Sequence, residues 1–381
     1  MSLFAAPTSP AAAVDEDLAE QARPEFGIPS QDPRPAAQLP LEPEEVEREG
    51  RSVLMGGGVM AGAATGATIG VVVAGPVGVV VGGTLGAVAG ALGGAAAGAL
   101  ASPVDPAPNG SSAADTVRLH IEDSGGDGRP VVLIHGWPLS ARAWEPQVAA
   151  LRDAGYRVVA YDRRGFGRSD KPVSGYGYDV LADDLQRVMD ECNLQDVTLV
   201  GFSMGGGEVA RYITRHGESR LRSVVFAAAV PPCLMKSDDN PEGPLTAEKA
   251  QEKKAALKAD RGSFFDHFTR DFFSAHGALL VTEAQRVDAM ALCQQSAQQA
   301  ALACMDSFGT TDFRQDLKSV TVPTLVIHGD ADAIVPIEAS GLRTHQAVAH
   351  SQLVVVKGAP HGLNLSHARA FNGALLSFLN E

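Results

Sequence analysis

Two kinds of apolar pattern divide this chain. Beyond residue 115, short aliphatic runs alternate with longer segments whose apolar positions recur every three to four residues. Pro130-Val-Val-Leu-Ile, Val197 to Val200, Val224 to Val230, Pro323-Thr-Leu-Val-Ile-His-Gly and Leu353 to Val356 read as buried strands. A strand covered on both faces is apolar without alternation. Glu208-Val-Ala-Arg-Tyr-Ile-Thr has helical spacing instead. Together these predict an α/β domain over residues 115–381, with a mostly parallel central sheet and helices on both faces. About 85 residues, 231–317, interrupt the alternation and are rich in Ala, Gln, Lys and Phe. They predict a helical cap inserted late in the sheet. Some of Phe264, Phe265, Phe268, Phe272 and Phe273 are expected to line an apolar pocket, and the others to seat the cap on the core.

The N-terminal third has a different pattern. From Ser52 to Pro103 there is no charged residue, and glycine recurs every fourth position from Gly58 to Gly98, with Ala74 as the one exception. Such a ridge of small residues lets two helices approach closely. Gly75-Pro76 breaks the run near its middle, leaving about 25 residues on either side, where roughly 20 cross a bilayer. The preferred reading of residues 52–103 is a separate Gly/Ala-rich helical hairpin in a membrane, resembling a glycine zipper. Soluble self-association and a flexible linker remain the alternatives, because so much glycine lowers both helix propensity and hydrophobicity.

Composition sharpens this picture in three places. Residues 1–51 hold eleven carboxylates against four arginines, half of the formal charge of −14, and are rich in Pro and Ala. They predict a disordered acidic arm and argue against nucleic-acid binding. No basic stretch precedes an early apolar one, so a secretory signal is not expected. Residues 104–114 read as a linker. Cys192, Cys233, Cys293 and Cys304 have no framework spacing, which favours reduced thiols and a cytoplasmic domain, membrane-associated if residues 52–103 insert.

The chemistry concentrates in Gly201-Phe-Ser-Met-Gly-Gly206, between a strand and a helix. A serine on such a turn is held exposed. Gly201 and Gly205 are needed there because strand, turn and helix crowd together. Ser203 is thus a candidate nucleophile, and it requires a base and a group to orient that base. Two aspartates follow the strand ending at Gly329, Asp330 and Asp332. Asp332 is the chosen acid, and Asp330 the turn residue. The base is His361, alone among glycines and a proline in Lys357-Gly-Ala-Pro-His-Gly. His328 is expected to pack beside the acid loop and His135 to brace the loop after its strand; the remaining histidines read as surface or satisfied core groups. Backbone N–H groups of Met204 and Trp137 are the expected oxyanion donors, since Pro138 cannot donate.

Five motifs in order resemble α/β-hydrolases: His135-Gly-Trp-Pro, Tyr161-Asp-Arg-Arg-Gly-Phe-Gly-Arg-Ser, Gly201-Phe-Ser-Met-Gly-Gly-Gly-Glu, His328-Gly-Asp-Ala-Asp-Ala-Ile-Val-Pro and Gly358-Ala-Pro-His-Gly. They are most similar to the cofactor-free haloperoxidase and perhydrolase branch, whose members are esterases. The resemblance implies a Ser203–Asp332–His361 triad, oxyanion amides on Trp137 and Met204, and Pro138 positioning peroxide through the Trp137 carbonyl. It implies no cofactor, and the absence of His-Glu-x-x-His and Cys-x-x-Cys agrees with a metal-free site. Serine at 203 disfavours the carboxylate-nucleophile chemistry of epoxide hydrolases and dehalogenases, as does the lack of Tyr and Trp from 231 to 317. The leading expectation is a serine hydrolase cleaving small carboxylic esters, with perhydrolysis as a side reaction. A self-assembling or membrane protein in which this domain is secondary is the alternative. A catalytically silent binding fold is disfavoured by the intact Ser203, Asp332 and His361.

Overall fold

A computed structural model describes residues 117–381. The acidic arm, the apolar segment 52–103 and the linker 104–114 lie outside the described residues. Among the described residues nine strands occur in chain order: β1 His120–Asp123, β2 Pro130–Ile134, β3 Arg157–Asp162, β4 Val197–Phe202, β5 Leu221–Ala227, β6 Ser274–Ala275, β7 Ala278–Leu279, β8 Thr324–Gly329 and β9 Gln352–Val356. The α-helices are α1 Glu145–Asp153, α2 Tyr178–Glu191, α3 Met204–His216, α4 Ala247–Ala259, α5 Arg261–Phe273, α6 Glu283–Gln294, α7 Gln298–Thr310, α8 Arg314–Lys318, α9 Gly341–Ala347, α10 Leu363–Ser366 and α11 Ala368–Leu379.

Seven strands form one sheet in the order β1-β3-β2-β4-β5-β8-β9. Only β1 runs antiparallel to its neighbour. The central strands are apolar because helices cover both faces: Val131 to Ile134 and all of β4 are buried. This order reverses at β2, which has β3 on one side and β4 on the other. Chain segments leaving the carboxyl ends of β2 and β4 therefore emerge side by side, Ile134 lying opposite Gly201. Ligands of open α/β sheets bind at such reversals. On the other flank Gly329 lies opposite Val356, so the loops leaving β8 and β9 also emerge together.

Between β5 and β8 the chain builds five helices, α4 to α8, and the short β6–β7 hairpin. Local signals start three of them. Thr246 accepts from Lys249 N–H, Asp260 accepts from Ser263 N–H, and Thr282 with Gln285 forms a reciprocal capping box. No helix among the described residues is long and apolar enough to cross a membrane.

Candidate active site

Ser203 sits at the end of β4 and caps α3, with φ 54° and ψ −117°. A non-glycine residue in this region is strained and persists only where its surroundings impose it. Ser203 N–H bonds to the Ala227 carbonyl at 2.9 Å, and its own carbonyl accepts from Val230 N–H at 3.1 Å. The crowding expected at the flanking glycines is severe. A methyl group on Gly201 would lie 2.5 Å from the Gly205 carbonyl oxygen, and one on Gly205 2.6 Å from that of Ile134.

The loops after β8 and β9 bring Asp332 and His361 to this serine. His361 Nε2 is 2.9 Å from Ser203 Oγ, and its Nδ1 is 2.6 Å from Asp332 Oδ2. A carboxylate only accepts, so Nδ1 carries the hydrogen and Nε2 faces the hydroxyl with a lone pair. Asp332 Oδ1 accepts the N–H groups of Ile334 and Val335, at 2.9 and 2.8 Å. Burial favours the neutral acid, but the His361 charge and the hydrogen bonds from His328 and His361 outweigh it. They hold the Asp332 carboxyl well below the usual carboxylate range. Asp330 points elsewhere: it is exposed and accepts from Gly358 N–H. Phe202 and Phe272 flank the imidazole with centroid distances of 5.2 and 5.1 Å, leaving it few other positions.

The loop after β2 lies against the serine turn. A methyl group on Gly136 would be 3.1 Å from Ser203 Cβ. Trp137 and Pro138 follow, both buried and joined by a cis peptide bond. Met204 opens α3, so its N–H has no intrahelical acceptor. Beneath this loop lies a buried ionic network. Arg163 donates to Glu208 through Nε at 2.5 Å and to the His135 carbonyl at 2.6 Å, while Tyr161 donates to Glu208 at 2.9 Å. His135 Nε2 accepts from Arg163 N–H at 3.0 Å. Burial first, and then the Arg163 charge, depress the His135 imidazole well below its ordinary value.

A cavity of about 950 Å³ opens over Ser203 and His361, within the range that holds small organic ligands. Trp137, Leu234, Phe264, Phe268, Met305 and Phe308 form apolar wall, and exposed Lys249, Lys253, His267 and Asp271 mark its outer edge. Of the five phenylalanines on α5, Phe264 and Phe268 face this cavity, while Phe265, Phe272 and Phe273 are buried in the packing.

Residues 129–368 match the family described as the alpha/beta hydrolase fold. The chain belongs to the α/β-hydrolase family. Its hydrolase domain is 43% identical over 270 residues to a non-heme chloroperoxidase of Kitasatospora aureofaciens, covering 70% of this chain and 98% of the relative. It is 34% identical to a bifunctional esterase/perhydrolase of Acinetobacter calcoaceticus, covering 70% and 98%. Among solved structures, a bromoperoxidase from Bacillus anthracis superposes with a TM-score of 0.68 at 51% identity, covering 70% of this chain and 96% of that one.

Sequence reasoning did not find the Arg163–Glu208 pair of this hydrolase. The available signal was a carboxylate one helical turn beyond Met204, on a helix face turned toward the sheet. Such a group demands a buried cationic partner, but its identity is a tertiary fact.

Proposed function

We propose that the domain is a serine hydrolase that cleaves small carboxylic esters through an acyl-enzyme. The observation that carries this reading is the continuous hydrogen-bonded path from Ser203 Oγ through His361 to Asp332. Ser203 Oγ attacks the ester carbonyl carbon as its proton passes to His361 Nε2. The N–H groups of Trp137 and Met204 receive the oxyanion, and Asp332 stabilises the imidazolium. Collapse breaks the carbon–oxygen bond of the alcohol, which leaves with the proton from His361. Water then gives a proton to the same nitrogen and attacks the acyl carbon; the bond to Ser203 Oγ breaks, the proton returns from His361 to Oγ, and the acid is freed.

Likeness to an esterase/perhydrolase supports a second acyl acceptor. Hydrogen peroxide in place of water gives a peracid, with the same proton path and no redox change at the enzyme. Pro138 is assigned the positioning of that peroxide, through the Trp137 carbonyl.

The test uses the full chain with p-nitrophenyl acetate, with and without hydrogen peroxide, against Ser203→Ala. Serine-dependent hydrolysis, with peracid formed only when peroxide is present, supports the reading. Turnover that survives Ser203→Ala places the nucleophile elsewhere.

A further inference from the structure

The acid carboxylate has more donors than a triad requires. Asp332 Oδ2 lies within reach of two imidazoles, His361 Nδ1 at 2.6 Å and His328 Nε2 at 3.2 Å. His328 is fully buried near the end of β8. Its Nε2 is also 2.8 Å from the Val335 carbonyl. A carbonyl only accepts, so Nε2 carries the hydrogen and points it at both oxygens. Nδ1 is buried without a hydrogen-bond partner among the described residues. It faces α9 so closely that a methyl group on Gly341 would lie 2.6 Å away. A hydrogen on Nδ1 would be an orphan donor, so packing and bonding select one tautomer.

We propose that His328 is a positioning residue for the hydrolytic reaction: one Nε2–H ties the acid loop at Val335 and holds Asp332 Oδ2 in line with His361. This rests on the serine-hydrolase reading. No other charged group competes for this carboxylate among the elements packed around it. Asp330 is turned to Gly358, Arg343 on α9 is held by Asn240 and Glu242, and His345 bonds Ser351. From the cap the neighbour of His361 is the Phe272 ring, and from β4 it is Phe202. His267 and Asp271 stand exposed at the edge of the cavity.

The test compares pH profiles of kcat and kcat/KM for the full chain with p-nitrophenyl acetate in wild type, Ser203→Ala, His328→Leu and His328→Gln. A hydrogen bond to a charged acceptor contributes about 1.5–3 kcal/mol, so His328→Leu should lower kcat roughly ten- to hundredfold. Its acidic limb should move to lower pH, because an Asp332 carboxylate no longer held in line with His361 stabilises the imidazolium less. His328→Gln places an amide N–H near the Nε2 position and should return the limb to its wild-type place. A folded His328→Leu whose limb stays or moves up overturns the proposal, as does a Gln variant that behaves like Leu. If His328→Leu does not fold, ring ¹⁵N shifts of wild-type His328 decide together with the Gln profile. An Nε2–H tautomer with a wild-type limb in Gln upholds the proposal, and an Nδ1–H tautomer overturns it. Turnover persisting in Ser203→Ala overturns the hydrolase reading itself, a result distinct from a misplaced limb in serine-dependent enzyme.

Discussion

Glu208→Gln removes one charge from a pair that water cannot reach. Both side chains are about 1% exposed, and Arg163 Nε lies 2.5 Å from Glu208 Oε1. Coulomb attraction between unit charges about 4 Å apart is about 4 kcal/mol at an effective dielectric of 20. Breaking a buried pair by removing one partner costs about 3–5 kcal/mol, because the remaining ion stays desolvated. The two figures agree, so the expected loss is about 4 kcal/mol, a large part of the 5–15 kcal/mol typical of a domain. Activity should fall as well, because Arg163 also holds the His135 carbonyl beside the Trp137 loop. Urea unfolding followed by tryptophan fluorescence is the assay. Both tryptophans of the chain, Trp137 and Trp144, are buried in the hydrolase domain, so the signal reports that domain. The apolar double variant Arg163→Met with Glu208→Leu should recover most of the loss. A loss below about 1 kcal/mol in Glu208→Gln would refute the reasoning, since it would mean that Arg163 does not depend on this carboxylate.

Three further outcomes are expected. Asp332→Asn should lower kcat about 10³- to 10⁴-fold by presenting the wrong partner to His361 Nδ1, whereas Asp330→Asn keeps an acceptor for Gly358 and should stay near wild type; steady-state kinetics of the two variants would reverse that ranking if the acid is misassigned. Phe268→Ala should widen the cavity and raise the octanoate-to-acetate ratio of kcat/KM roughly four- to fifteenfold, at about 0.8 kcal/mol for each of one or two more buried methylenes; an unchanged ratio would mean the acyl chain lies elsewhere. His135 has its folded pKa depressed by burial and by Arg163, so its contribution to stability is full above the unfolded value near about 6.5 and is lost as pH falls toward the folded value. Wild type should therefore lose up to about 1.4 kcal/mol per pH unit more than His135→Gln below that point, measured by urea titration, and parallel curves would contradict it.

The strands and the turns that carry the candidate site were legible because their signals are local. Buried parallel strands appear as unbroken apolar runs, and the turn at Ser203 needs glycines that the sequence displays. Even so, β4 continues through Gly201 and Phe202, where a glycine hides the end of a strand from composition. Edge strand β1, His-Ile-Glu-Asp, has no apolar run because it is half solvated, and β3, Arg-Val-Val-Ala-Tyr-Asp, is bounded by charges; neither is among the expected strands. Helical spacing located the phenylalanines of α5, but the rotation of that helix against Trp137 decides that Phe264 and Phe268 meet the cavity. The Arg163–Glu208 and His328–Asp332 contacts join different elements or turn on side-chain direction within a loop, which spacing alone does not encode.

The most direct test of the central claim is labelling of the full chain with a fluorophosphonate, followed by peptide mass spectrometry. The account predicts one adduct, on Ser203, formed in parallel with loss of esterase activity and absent from a folded Ser203→Ala variant. A folded, unlabelled wild-type protein, or an adduct on any other residue, would contradict it.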